Sequence, residues 1–94
     1  MEQSFTYLGI DVSKSTLQVA QQLPDGSWQQ QCLSNEINAI SEWLSRLDLN
    51  RFWFIFEYTG TYSQRLCFCL QLLEAKFTIL TPKQRVWTNA QKDK

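Results

Sequence analysis

Two carboxylates, each directly after an apolar run, are the strongest candidates in this sequence for catalysis or metal binding. Asp11 follows the apolar residues 5–10, and Glu57 follows the aromatic-rich run 52–56. A near-continuous apolar run predicts a strand that is buried on both faces. An unpaired buried carboxylate is costly, so an acid at the end of such a strand is expected to have a partner such as a metal or a base.

The two acids are predicted to meet at one edge of a sheet. Ligands of open α/β sheets bind at the carboxyl ends of the strands. If the two strands are parallel neighbours, about 4.8 Å apart, Asp11 and Glu57 can share one divalent cation, Mg²⁺ or Mn²⁺. Metal-dependent phosphodiester cleavage uses such pairs. Either acid alone is better explained as a turn cap, Asp11 on the amides of residues 13–14 and Glu57 on those around Gly60, but both together favour a metal pair.

The elements that must position these acids follow from hydrophobic spacing and turn residues. Strands are predicted over 5–11, 16–22, 28–33, 52–57 and 77–80. The first helix is predicted after a cap at Ser34–Asn35, with an apolar stripe formed by Ile37, Ile40, Leu44 and Leu47. The second is predicted to start at a capping box of Thr61 and Gln64, with a stripe formed by Tyr62, Leu66, Cys69, Leu70 and Leu73. Thr81 and Pro82 favour the start of a third helix.

This order predicts an α/β, ribonuclease H-like fold. Short connections make the first three strands an antiparallel meander, and right-handed crossovers place the fourth strand beside the first and the fifth beyond it. The predicted mixed five-stranded sheet therefore has the order 3-2-1-4-5, with helices after strands 3, 4 and 5. Residues 1–94 are expected to form a single domain. Asp11 and Glu57 fall on the same face by strand alternation.

Composition excludes several classes of site. The chain has no histidine, so imidazole can be neither a general base nor a metal ligand in it. Its nine basic and nine acidic residues cancel, so the net charge gives no indication of nucleic-acid binding. Its three cysteines lack metal-site spacing, and we expect all of them to be buried small hydrophobes in a reducing compartment. Neither a signal peptide nor a run of membrane-spanning length is present, which predicts a cytoplasmic protein.

One basic segment occurs, from Lys83 onward. Lys83, Arg85, Lys92 and Lys94 are opposed only by Asp93. A solvated helix face is the favoured interpretation, and contact with a phosphate backbone is the alternative. Trp87 beside Arg85 is the aromatic residue most worth testing as a base-stacking platform.

The turn after Asp11 raises a second enzymatic possibility. The actin-like sugar kinases begin similarly, with an aspartate that ends the first strand before a phosphate-binding turn. That turn needs glycine for close approach to phosphate, and none occurs between Asp11 and Thr16. An actin-like ATPase is therefore the second of the two enzymatic hypotheses, after the metal-dependent one.

Three blocks resemble a known family. Residues 9–14, Gly-Ile-Asp-Val-Ser-Lys, are similar to the opening of the RuvC-like domain of DEDD-type insertion-sequence transposases, the IS-one-ten group. Residues 57–62, Glu-Tyr-Thr-Gly-Thr-Tyr, resemble that family's second block, and residues 80–84, Leu-Thr-Pro-Lys-Gln, resemble the next. The blocks occur in the family's order and span most of the chain.

The resemblance implies a function and an incomplete site. It implies that Asp11 and Glu57 are the first two acids of an Asp-Glu-Asp-Asp site for Mg²⁺ or Mn²⁺, with Asp93 as a candidate for the third. The fourth acid and the family's serine-bearing C-terminal part are absent from residues 1–94, which we therefore expect to be an N-terminal fragment that is inactive alone. Implied partners are DNA, an element-encoded guide RNA and a second copy of the protein. Candidate nucleic-acid contacts are Lys14, Thr59, Lys83 and Arg85. A non-catalytic DNA- or protein-binding module of the same fold is the other alternative.

Overall fold

The computed structural model describes residues 5–80, which form a five-stranded mixed sheet with helices on one face. The strands are β1 (Thr6–Val12), β2 (Thr16–Gln22), β3 (Trp28–Ser34), β4 (Phe52–Glu57) and β5 (Lys76–Leu80). The helices are α1 (Ile37–Ser45), after β3, and α2 (Gln64–Leu72), after β4. Short 3-10 turns, Leu49–Arg51 and Gly60–Ser63, precede β4 and α2. The helix predicted from Thr81 lies outside the described residues.

The sheet confirms the predicted strand order, β3-β2-β1-β4-β5. The pairs β1–β2 and β2–β3 are antiparallel, since each connection is a short turn. The pairs β1–β4 and β4–β5 are parallel, and each is connected through a helix. The carboxyl ends of β1, β4 and β5 therefore meet at one edge of the sheet.

One face of the sheet carries the hydrophobic core. Side chains alternate along β1, so that Leu8, Ile10 and Val12 are buried while the residues between them are exposed. Phe54 and Phe56 of β4 are buried on the same face. Burying side chains of this size contributes roughly 1.5–3 kcal/mol each, so the centre of the sheet is its most firmly held part.

Both helices cover that face. Each helix buries three residues at helical spacing: Ile40, Trp43 and Leu44 in α1, and Leu66, Cys69 and Leu70 in α2. The ring of Trp43 meets Phe54 edge-on, with centroids 5.8 Å apart. These contacts fix both helices against the acid-bearing strands.

The opposite face is open within residues 5–80, which corrects the prediction that β1 and β4 are buried on both sides. Tyr7, on β1, is 58% exposed, and Trp53 and Ile55 of β4 are half-buried. The apolar runs thus reflect one buried face plus aromatic residues on an uncovered one. Tertiary coverage of a face is not encoded in the strand itself.

Both predicted helix caps are wrong. Residue Glu36 precedes α1 and makes no side-chain capping bond, and Asn35 forms a different set of bonds, described below. Instead of a capping box at Thr61 and Gln64, a 3-10 turn leads into α2, whose first flanking residue is Ser63. Capping patterns rest on a few short side chains that can form competing local hydrogen bonds.

The C-terminal end of α2 is a Schellman motif. The amide of Glu74 donates to Gln71 and that of Ala75 to Leu70, and Glu74 has a left-handed φ of 56°. The chain therefore leaves the helix early. Of the stripe predicted for α2, its two end members, Tyr62 and Leu73, are 41% and 42% exposed.

The cysteine prediction is wrong for one residue of three. All three thiols are free, with Cys69 buried and Cys67 half-buried, whereas Cys32 is exposed on β3. Burial raises the pKa of the Cys67 thiol. In residues 5–80 no helix has the length and apolar character needed to span a membrane.

Candidate functional site

The two predicted acids lie side by side at the carboxyl edge of the sheet. Parallel pairing of β1 with β4 aligns Gly9 with Ile55 and Ile10 with Phe56. Continuing this register by one residue places Asp11 opposite Glu57. Neighbouring strands lie about 4.8 Å apart, so both carboxylates are within reach of one small ligand.

Both acids belong to the open face. Asp11 is exposed and Glu57 is half-buried, and each alternates with residues of the core face. They line the same concave surface, with a volume of about 540 Å³. Gln18, which pairs with Asp11 across β1 and β2, and Gln30 of β3 line it as well. The concavity therefore offers carboxylate and amide oxygens over an apolar floor.

This donor set fits a hard divalent cation. Magnesium prefers oxygen ligands and is commonly held by one or two carboxylates together with waters. Asp11, Glu57 and the Gln18 carbonyl oxygen would be the protein ligands. No group of three or more His, Cys, Asp or Glu residues that could hold a metal occurs within residues 5–80. The described residues thus offer two carboxylates and an amide oxygen, fewer than a closed metal site usually has.

Asp11 does not act as the predicted alternative, a turn cap, within residues 5–80. The turn that follows is closed by Ser13 and Thr16 themselves. The Ser13 amide donates to the Thr16 carbonyl oxygen at 2.9 Å, and the Thr16 amide donates to Ser13 Oγ at 3.3 Å. The Ser13 amide, one of the two that Asp11 was predicted to cap, is therefore already used, and these bonds close the turn without the aspartate.

The segment after Glu57 is closed in a similar way. Ser63 is fully buried, and its Oγ accepts from the Thr59 amide at 2.8 Å and pairs with Thr59 Oγ1 at 2.8 Å. Thr59, a predicted nucleic-acid contact, is half-buried with its hydroxyl held in this pair. Its position is set by the turn, and its role as a contact stays a prediction.

A buried asparagine joins the two acid-bearing segments. Asn35, 3% exposed, donates from Nδ2 to the Ser13 carbonyl at 2.8 Å and to the Tyr62 carbonyl at 2.9 Å. Ser13 follows Asp11 by two residues, and Tyr62 follows Glu57 by five. The Asn35 backbone amide also donates to Ser15 at 2.8 Å. One side chain therefore clamps the turn after β1 to the turn after β4.

The remaining predicted contacts separate into two groups. Lys14 is exposed in the turn after β1 and, together with Arg65, lines a second cleft of about 650 Å³. Lys83, Arg85, Trp87 and Asp93 lie outside the described residues. The structure therefore brings Asp11 and Glu57 together, with Lys14 on a neighbouring surface.

Sequence reasoning missed three residues of this region. Asn35 had a visible signal, a polar residue before an apolar helical stripe, but that signal is typical of a cap. Gln18 and Arg65 have none, since an exposed glutamine in a strand and an exposed arginine in a helix are common. Only the register of β2 and the placement of α2 connect them to the acids.

Comparison with known proteins gives a likeness in fold. No model of a known protein family matches the chain, and no curated protein matches its sequence. Two solved structures from Aquifex aeolicus are similar. One is a member of the Ppx/GppA family, with 14% identity over 85% of this chain and a TM-score of 0.46. The other is a PPX-GPPA enzyme, with 13% identity over 85% of this chain and a TM-score of 0.44.

The chain spans only part of these proteins. It covers 36% of the length of the first and 37% of the second. A likeness of this size carries no argument about function, so the function proposed below depends on the site and on the resemblance of its motifs.

Proposed function

We propose that this chain is the N-terminal, ribonuclease H-like part of a DNA transposase that cleaves and joins strands with a divalent cation. The observation that carries the proposal is the pairing of β1 with β4, which brings Asp11 and Glu57 to one face of one edge of the sheet. The motifs around these acids resemble the first two blocks of the DEDD-type insertion-sequence transposases.

In this proposal the chain holds and orients the cation. Asp11 and Glu57 would bind Mg²⁺ or Mn²⁺, and the Gln18 side chain beside Asp11 would complete a set of oxygen ligands. When bound, such a cation polarises a phosphodiester and activates a water. The Asn35 clamp joins the two turns that follow the acids and would keep the ends of β1 and β4 in place around the cation.

The chain alone is proposed to be inactive. In-line phosphoryl displacement uses two cations about 4 Å apart, and two carboxylates support only one of them. Asp93 is the proposed third acid by resemblance. DNA, an element-encoded guide RNA and a second copy of the protein remain the proposed partners of the full-length transposase.

Two other functions compete with this proposal. An actin-like ATPase would need the turn after β1 to present free amides to phosphate. The Ser13 and Thr16 amides are bonded within the turn, which leaves only those of Lys14 and Ser15 for this role. A non-catalytic binding module of the same fold would not need Asp11 or Glu57 for its function. A response to metal that requires both carboxylates separates the transposase from that module.

The test is metal-linked stability. A cation that binds only the folded chain raises the unfolding temperature by mass action, so Mn²⁺ should stabilise the wild type, and neither Asp11→Asn nor Glu57→Gln should respond. Glu42→Gln is the matched control, because Glu42 is an exposed acid on α1 that pairs with Arg46. A wild type that ignores Mn²⁺, or variants that respond as fully as the control, would reject the metal site.

A further inference from the structure

A second cleft lies beside the acids, and the proposed metal chemistry does not use it. Three segments far apart in the sequence form its walls: the turn after β1, the connection from β3 to α1, and the start of α2 with the turn before it. Lys14, Glu36 and Arg65 each stand on a different one of these walls. We call this concavity, of about 650 Å³, the basic cleft.

Asn35 holds the walls of the basic cleft in place. Its hydrogen bonds to Ser13, Ser15 and Tyr62, all between 2.8 and 2.9 Å, reach the first wall and the third from the second. The residue is 3% exposed. A cleft built in this way is preformed, so a ligand does not have to order its walls, which removes a major cost of binding.

The same asparagine has an unmet hydrogen-bonding demand. The two carbonyl acceptors fix the orientation of its amide, because only Nδ2 can donate to them. Oδ1 is then left buried without a partner among residues 5–80. A buried acceptor without a donor costs roughly 1–3 kcal/mol. Asn35 lines the basic cleft, so this unmet demand lies in the wall of the cleft.

The charges of the cleft favour an anion. Lys14 and Arg65 are exposed, and neither forms an ion pair within residues 5–80, whereas Glu36 contributes one opposing charge. The net charge of these three residues is therefore +1. Hydroxyls of Ser15 and Thr61 also line the cleft. A guanidinium fork, an ammonium and hydroxyls are the groups that bind phosphate oxygens.

We propose that the basic cleft binds the phosphodiester backbone of a nucleic-acid strand. Lys14 and Arg65 contact phosphate oxygens, and the hydroxyls of Ser15 and Thr61 line the path of the strand. A strand suits the cleft better than a free phosphate ion, because the concavity is many times larger than one small anion. Lys14 follows Asp11 by three residues, so a bound strand passes next to the acids. The choice of a nucleic acid rests on the proposed function.

The experiment measures how binding depends on salt. A fluorescent single-stranded DNA oligonucleotide is titrated with the chain in EDTA at several salt concentrations. Each single-strand phosphate contact contributes about 0.7 to the slope of log K against log salt. Lys14→Gln and Arg65→Gln should each lower the wild-type slope by about 0.7, since each removes one contact.

Two controls remove the same charge elsewhere. Lys76 begins β5 and Arg51 precedes β4, so both lie at the opposite edge of the sheet. Lys76→Gln and Arg51→Gln should leave the slope unchanged. Controls that lower the slope as much as the cleft variants would overturn the proposal, because binding would then follow net charge alone.

Further readouts separate the strand from a free anion and the cleft from the metal site. On addition of oligonucleotide, the side-chain amide resonances of Asn35 should shift in the folded protein. If inorganic phosphate shifts them equally at the same concentration of phosphate groups, the strand proposal is wrong. Asp11→Asn should bind the oligonucleotide in EDTA as the wild type does. If the wild type binds DNA in the cleft but is not stabilised by Mn²⁺, the metal site is rejected and this inference still stands.

Discussion

Replacing Asp11 by asparagine should stabilise the metal-free chain, because it removes one of two neighbouring negative charges. At about 5 Å, two unit charges repel by about 0.8 kcal/mol in water and by about 3 kcal/mol at an effective dielectric constant near 20. Asp11 is exposed and Glu57 is half-buried, which places the pair nearer the lower value. We expect Asp11→Asn to raise the free energy of unfolding by about 1 kcal/mol.

The assay is urea unfolding in EDTA, and a double-mutant cycle isolates the pair. The Asp11→Asn and Glu57→Gln single variants and the double variant are compared with the wild type. If the charges repel, Asp11→Asn should gain about 1 kcal/mol in the wild type and almost nothing once Glu57→Gln is present. The cycle cancels whatever other interactions each side chain makes.

Magnesium should reduce the stability advantage of Asp11→Asn. A cation that needs both acids stabilises only the wild type, so the advantage of Asp11→Asn should shrink as Mg²⁺ is added. A loss of stability in Asp11→Asn that is the same with and without Mg²⁺ would refute the reasoning, since Asp11 would then be a structural residue. Additive single variants would show that the carboxylates do not interact.

Three other predictions concern activity, a helix end and acid stability. A supercoiled plasmid should stay intact with the chain and Mn²⁺; nicking that is lost in both Asp11→Ala and Glu57→Ala would show that the chain completes its own active site. Glu74→Gly should stabilise the chain by about 1 kcal/mol in urea unfolding, because glycine accepts the left-handed φ of 56°; Glu74→Ala is the control and should show no gain. Hydrogen bonds from the Ser27 hydroxyl and amide lower the pKa of Asp25 below its ordinary 3.8, so Asp25 stabilises the fold above that value and loses this effect as the pH falls through its folded pKa. The free energy of unfolding should therefore fall less on acidification in Asp25→Asn than in the wild type. An equal fall in both proteins would contradict this.

The sheet was predictable because its signals are local and redundant. The predicted bounds of β2 and β4 are confirmed, since turn residues flank both runs, such as the Pro-Asp-Gly turn after β2. The crossover rule then leaves few strand orders. The side-by-side acids follow from that order together with strand alternation.

The surroundings of the acids were not predictable in the same way. The role of Asn35 depends on two carbonyl groups, 22 and 27 residues away, that no local pattern connects to it. A cap and a buried clamp use the same residue type. The open face of the sheet was also not predictable, because Tyr7, Trp53 and Ile55 give its sequence the apolar pattern of a buried face.

The central claim is that Asp11 and Glu57 form one cation site, and paramagnetic broadening by Mn²⁺ tests it most directly. Small additions of Mn²⁺ to labelled chain broaden the backbone amide resonances nearest the bound ion. The account predicts that broadening is centred on residues 10–14 and 56–60, and that Asp11→Asn abolishes it at both segments together. Broadening centred on any other acidic residue, or broadening of only one of the two segments, would contradict a shared site.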